Sequence, residues 1–190
     1  MKVSNRFPLL GERLCLDLVN TCRLRDGESV DLLEDRPALA EWLDAQASRI
    51  RWSGPPVDED LATLKATRAA ITPLLRAAAH HTRPATPDVE NFNRLLAQPA
   101  PALQLEWSAS AAPHSTVAAR HQSAVLQHRI LVDALGLLAG SDCTRLRQCA
   151  HPGCILLFVA THPRRRWCRT DTCGNRARVA RHYRTHKAPS

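Results

Sequence analysis

Cys149, Cys154, Cys168 and Cys173 are spaced C-x4-C-x13-C-x4-C near the C-terminus. Two short cysteine pairs separated by a hairpin-sized gap suit one tetrahedral zinc ion, each pair gripping one edge of the tetrahedron. Pro152-Gly153 forms a tight turn inside the first pair and aims both thiolates at one point. Ile155 to Ala160 reads as a strand, Thr161 to Arg165 as a turn, and Arg166-Trp167-Cys168 as the returning strand of a hairpin. Thr170 or Asp171 then caps a helix whose first turn holds Cys173 and which runs to His186. A knuckle, a hairpin and a ligand-bearing helix make a treble-clef-like module. Four thiolates close the coordination shell, so the expected Zn2+ is single and structural. Its binding contributes about 10–16 kcal/mol to folding a tail with few apolar residues. His182 and His186 with Cys168 and Cys173 form an alternative Cys2His2 set, but the gap from Cys173 to His182 is short for it. Cys15, Cys22 and Cys143 have no partner at ligand spacing and read as ordinary thiols.

The charge around these cysteines points to a polyanion. Residues 145–190 carry eleven Lys/Arg and one acid, Asp171, a net of +10, whereas the rest of the chain nets −2. Arg176, Arg178, Arg181, Arg184 and Lys187 give the last helix a basic strip about the width of a groove contact. Arg164, Arg165 and Arg166 at the hairpin turn are placed to clamp the adjacent backbone. Double-stranded DNA is the expected partner. Asn175 and Arg176 have an equal structural reading, with Arg176 stacked on Trp167. An RNA-binding or protein-interaction module stabilised by zinc is the alternative; the tail offers few aromatics for stacking single-stranded bases.

Positioning this module falls to the remaining residues. The fold class expected is mainly α (α+β): a helical N-terminal domain, residues 1–143, with a small β-hairpin, then the basic zinc module, residues 144–190. Leu9 to Thr21 opens the body, and its short apolar run fits either a strand or a buried helix. Asp26-Gly27 is a turn signal. Asp35 caps a helix running to about Ser48, with Pro37 in its first turn and Leu39, Trp42 and Leu43 as its apolar stripe. Asp58 to His81 is the clearest helix; its stripe includes Leu61, Leu64, Arg68, Ile71, Leu74 and Leu75, and Pro73 predicts a kink. Thr86 caps a short helix to Leu96. Leu103 to Trp107 and Ser115 to Ala118 suggest a hairpin, and His121 to Ala139 an apolar helix inward at Val125, Ile130, Leu131, Ala134, Leu135 and Leu138.

Arg165-Arg166-Trp167-Cys168, followed by Cys173-Gly174-Asn175-Arg176, resembles the bacterial CGNR zinc finger family. Leu14-Cys15-Leu16-Asp17-Leu18-Val19-Asn20-Thr21 resembles the opening motif of the domain that usually precedes this finger, described as a stress-induced transcription regulator. Together the resemblances span nearly the whole chain. They imply zinc at the four cysteines and DNA binding. Val159-Ala160 departs from the family, whose members often carry an acid after the hairpin aromatic.

Two jobs remain for the body. It dimerises, giving a homodimer with two fingers, or it holds a small effector near Asp17, Asn20 and Thr21; turn and capping hydrogen bonds are the competing role for those three. The sequence shows no catalytic triad, phosphate-binding glycine loop or open metal site, so no enzyme is expected. There is no apolar run of membrane-spanning length and no signal-peptide pattern. The expectation is a bacterial cytoplasmic protein with reduced thiols, nucleoid-associated when bound to DNA.

Overall fold

The computed structural model describes residues 6–10, 12–99, 104–107, 114–116 and 122–186. Helix α1 (Leu14–Val19) resolves the ambiguity of the opening run, and all six of its residues are buried. Two short strands follow, β1 (Cys22–Arg25) and β2 (Glu28–Asp31). They pair antiparallel with Arg25 opposite Glu28, leaving Asp26-Gly27 as a two-residue turn. Both turn residues have positive φ, 53° at Asp26 and 90° at Gly27, as a type I′ hairpin turn requires. In the sequence only the turn carries a signal.

Helix α2 (Arg36–Ala45) begins as expected: the Asp35 carboxylate accepts from the Ala38 N–H at 2.8 Å. Its inner face buries Leu39, Trp42 and Leu43. Helix α3 (Asp58–Ala79) follows its predicted stripe, and Leu64, Ile71, Leu74 and Leu75 are core residues. Arg68 lies in the same stripe and is 8% exposed. Its guanidinium donates to both Asp31 carboxylate oxygens at 2.6 Å and to Thr21 Oγ1 at 2.6 Å. Burial opposes ionisation of Asp31, but the Arg68 hydrogen bonds and charge outweigh it and hold the carboxyl below its usual range.

Helix α4 (Thr86–Leu96) starts one residue earlier than proposed, with Ala85 as N-cap and Thr86 already helical. Strands β3 (Gln104–Glu106) and β4 (His114–Thr116) form the second hairpin, in register Gln104 to Thr116. Helix α5 (Gln122–Ala139) packs against α1, α3 and α4. Its inner face differs from the expectation: Leu126 and Leu137 are buried, while Leu135 is 42% exposed. Apolar residues on both sides of this helix, Val132 and Leu135 outside and Leu126 and Leu137 inside, leave the phase of its stripe undetermined by sequence.

A 3₁₀ turn (Ser141–Arg145) leads to β5 (Leu146–Gln148), then β6 (Leu157–Val159), a π-type turn (Thr170–Gly174) and α6 (Asn175–His186). The hairpin partner of the apolar run is β5, upstream of the first cysteine, not Arg166-Trp167-Cys168. The Arg166 to Cys168 segment is irregular and touches the knuckle through a bond from the Ala150 N–H to the Arg166 carbonyl, 3.0 Å. Three residues are too few for a periodic signal, so the sequence could not distinguish these partners.

Strand β6 lies between two cores. Leu157 and Val159, with Leu146 of β5, join the large core built from α1, α2, α3 and α5. Leu156, Phe158 and Ala160 point the other way, into a small core shared with Cys149, Cys168 and Cys173. The two-residue period of a strand produces this division. The outer edge of β6 is also satisfied, by side chains from the start of the body. Asn20 acts as a one-residue strand partner: its Nδ2 donates to the Leu157 carbonyl and its Oδ1 accepts from the Leu157 N–H, both at 2.9 Å. Glu12 accepts the Val159 N–H at 2.5 Å. An edge strand whose N–H and C=O groups are all taken offers no template for pairing with another chain.

Candidate metal centre and nucleic-acid face

Each ligand thiol is placed by a different local device. Cys149 follows β5, and its N–H donates to the Leu156 carbonyl at 2.9 Å. The turn to Cys154 closes with the Cys154 N–H on the His151 carbonyl, 2.9 Å, and the Gly153 N–H on His151 Nδ1, 3.0 Å. The Cys168 N–H points at Cys149 Sγ, 3.5 Å away. Cys173 sits in the π-type turn that starts α6.

The four sulfurs lie within 4.8 Å of one another. Cys154 and Cys168 Sγ are 3.9 Å apart, and Cys168 and Cys173 Sγ 3.6 Å. A tetrahedron with Zn–S bonds of about 2.3 Å has edges of about 3.8 Å, so the cage fits one zinc ion. His182 lies beyond Cys173 on α6 and is not part of this cluster, while the side chain of His186 lies outside the described residues. Among the thiols alone, hydrogen bonds from Cys154 and Cys168 hold Cys149 far below its usual range. The same bonds push Cys154 and Cys168 up, and burial followed by the Cys149 charge pushes Cys173 up. Four sulfurs this close cannot all be ionised without a counter-charge; a divalent cation supplies it and drives off the protons.

Gly174 shows why the residue after the last ligand is small. A Cβ there would stand 3.1 Å from Trp167 Cδ1. The ring that rests on this turn carries Arg166, not Arg176: the Arg166 guanidinium carbon is 5.4 Å from the Trp167 ring centroid.

The arginines expected at the nucleic-acid face divide into two groups. Arg164, Arg166, Arg176, Arg178, Arg181 and Arg184 are exposed. Lys187 lies outside the described residues. Arg165 is different, being turned into the protein. It ion-pairs with Glu12 at 2.8 Å, donates to the carbonyls of Val159, Trp167 and Cys168, and covers the Phe158 ring at 4.5 Å. A guanidinium so fully bonded rivets the finger to the body and has little left for phosphate. Sequence reasoning missed this role and that of Glu12, because a charge in a basic run gives no sign that it faces inward. Arg169 adds a further tie, donating to the Leu9 carbonyl at 2.6 Å.

Asp17, Asn20 and Thr21 are brought together, and all three are buried. Asp17 accepts from the Leu10 N–H at 3.0 Å, Gln46 Nε2 at 3.1 Å and Arg49 Nη1 at 2.6 Å. Asn20 holds Leu157, and Thr21 Oγ1 donates to the Leu18 carbonyl at 2.6 Å while accepting from Arg68. An effector at these groups would have to displace bonds that organise the body.

Two family models match the chain. A family model described as "Putative stress-induced transcription regulator" (ABATE) matches residues 12–141. The chain belongs to this family. A second model, the CGNR zinc finger, matches residues 145–186 of this ABATE protein and holds all four cysteines. No curated protein matches the chain. In the ABATE region the opening motif is a buried helix and its polar residues are internal ties. In the CGNR region the tetrad supplies a ligand, a glycine under Trp167 and the first residues of α6. Both are regulatory or zinc-finger families rather than enzyme families. No helix among the described residues is long and apolar enough to cross a membrane.

Proposed function

We propose that this chain is a DNA-binding transcription regulator whose structural zinc presents α6 to the duplex. The supporting observation is the state of α6. Its chief packing partner is the turn that precedes it, and nearly every described residue from Arg176 onward is exposed, including Arg176, Arg178, Arg181 and Arg184. A helix this basic and this little packed gains most from a polyanion laid along it. Arg164 and Arg166 stand at the adjoining turn as backbone contacts, and Arg165 is assigned to the fold instead. With six to eight phosphates neutralised, log K falls against log salt with a slope of roughly −5 to −7. Replacing Arg178, Arg181 and Arg184 together by Ala reduces that slope by about 3 and leaves zinc stoichiometry at its wild-type value. A wild-type slope near zero in a salt titration removes the proposal.

One helix and one turn make a small interface, so we also assign the body a pairing role, in which a homodimer brings two fingers to one site. Molar mass in solution, measured with and without duplex, tests it; a monomer in both conditions rejects it. A single-stranded RNA target has one observation in its favour. Tyr183 is 59% exposed on α6, its ring edge-on to His182, and an exposed aromatic can stack a base. Competition between duplex DNA and single-stranded RNA of equal length separates the two.

A further inference from the structure

A cleft of about 250 Å³ lies between the β1–β2 hairpin and the zinc module. Arg6, Arg23, Arg169 and Arg176 line it; no carboxylate does, and the negative charge on its wall is that of the thiolate cage at Cys154, Cys168 and Cys173. These arginines are not equivalent. Arg6 is neutralised by Glu34 at 2.5 Å and Glu41 at 3.4 Å, and Arg169 is tied to the Leu9 carbonyl. Arg23 and Arg176 have no ion pair among the described residues. The Nε of Arg23 is sealed from solvent with no hydrogen-bond partner, so any ligand in the cleft meets the terminal nitrogens of the fork rather than Nε. Phe7, Leu24 and Ile155 supply apolar wall beside it.

We propose that this cleft binds a small oxyanion with a short apolar body, a carboxylate or phosphate group held by Arg23 and Arg176. Guanidinium forks match both groups in two-point geometry, and the apolar wall takes the rest of the molecule. A cleft of this size takes a small molecule, not a polymer segment. The site joins the two parts of the chain: Arg23 belongs to the body hairpin, and Arg176 to the first turn of the helix assigned to DNA. A bound anion therefore stabilises one arrangement of finger and body and takes one basic residue from the nucleic-acid face. Linkage requires that ligand and duplex then weaken each other.

The thermal midpoint of the zinc-loaded full chain, measured without DNA, tests the site independently of the DNA reading. Titration with phenyl phosphate gives a saturable rise, and inorganic phosphate a weaker one because it lacks the apolar body. In Arg23→Gln the apparent affinity falls about tenfold, the cost of one charged hydrogen bond. In Arg51→Gln, an exposed arginine outside the cleft, it is unchanged. No saturable response in wild type overturns the proposal, as does equal loss in both variants, which would mean general charge screening. The sulfur cage borders the cleft through Cys154, Cys168 and Cys173. If Arg23→Gln releases zinc faster, Arg23 is a counter-charge for the thiolates and the anion site is rejected. If Arg23→Gln lowers the salt slope of duplex binding by about one while phenyl phosphate binding persists, Arg23 is a DNA phosphate contact and the site is rejected likewise.

Discussion

The hairpin half and the helix half of the zinc module share one metal cage but not one environment. Strand β6 has a core on each face, β5 on one edge and Asn20 with Glu12 on the other. Helix α6 leaves its charges, Val179 and Tyr183 to solvent and joins the rest through the turn that carries Cys173. The hairpin would be held by the body without metal; the helix is anchored at one end through a sulfur. One ion therefore does two kinds of work, adding to an already packed strand and supplying most of what fixes the helix.

Removing the metal gives the largest separation of the two halves. Chelation, or Cys173→Ser with loss of zinc stoichiometry, forfeits about 10–16 kcal/mol of binding free energy. Amide exchange is the suitable readout: α6 amides lose protection, while those of α3 and α5 keep it. Retained protection in α6 after chelation would break the contrast, because something other than sulfur would be holding the helix. Falling pH acts in the same direction, since protons compete with the ion for the four cysteine sulfurs.

Asn20→Leu attacks the hairpin half alone. It leaves the Leu157 N–H and C=O unpaired in a buried setting and costs about 2–4 kcal/mol. Denaturant midpoints read the loss, and zinc stoichiometry stays at its wild-type value. A cost below about 0.5 kcal/mol would mean that water replaces Asn20 freely and that β6 is less enclosed than its contacts indicate. Gly174→Ala acts at the join of the halves. The added carbon meets Trp167 at 3.1 Å, so the ring or the turn must shift, at a cost of about 1 kcal/mol. Asp31→Asn tests the body away from both. The folded-state pKa of Asp31 is depressed, so its contribution is complete above the unfolded value and is lost as pH falls through the lower folded one. The variant flattens the acid side of the stability profile without touching zinc.

The sequence carried the parts whose signals are local or periodic. Asp35 with Pro37 marked the start of α2, and the stripe through Leu64, Arg68, Ile71 and Leu75 marked the inner face of α3, arginine included. Cysteine spacing alone located the cage. The parts it did not carry depend on contacts between distant residues. Asp26-Gly27 announced a turn, but the flanking Arg23, Arg25 and Glu28 hid the strands. The pairing of β5 with β6 spans three residues and leaves no pattern. Arg165 looks like its neighbours in a basic run, and only its bonds to Glu12 and three carbonyls separate it from them. The opening motif was legible as a motif but not as a set of ties, because Asn20 and Leu157 are far apart in the chain.

The smallest effect expected is also the sharpest test of the helix half. Arg178, Arg181 and Arg184 are exposed; within the fold Arg178 makes one long bond, to the Thr170 carbonyl at 3.4 Å. Surface substitutions of this kind change stability by no more than about 0.5 kcal/mol. Ala has the highest helix propensity, so replacing all three leaves α6 at least as helical as before. The triple variant should melt with the wild type, bind one zinc ion and give the same helical signal. Arg165→Ala changes charge by only one unit, but it breaks the pair with Glu12 and should lower the melting temperature by several degrees, a loss of about 2 kcal/mol. Three exposed arginines then cost less stability than one inward-facing arginine. If the triple variant melts several degrees lower as well, α6 is packed against the protein in solution, and its charges are not free to meet a nucleic acid.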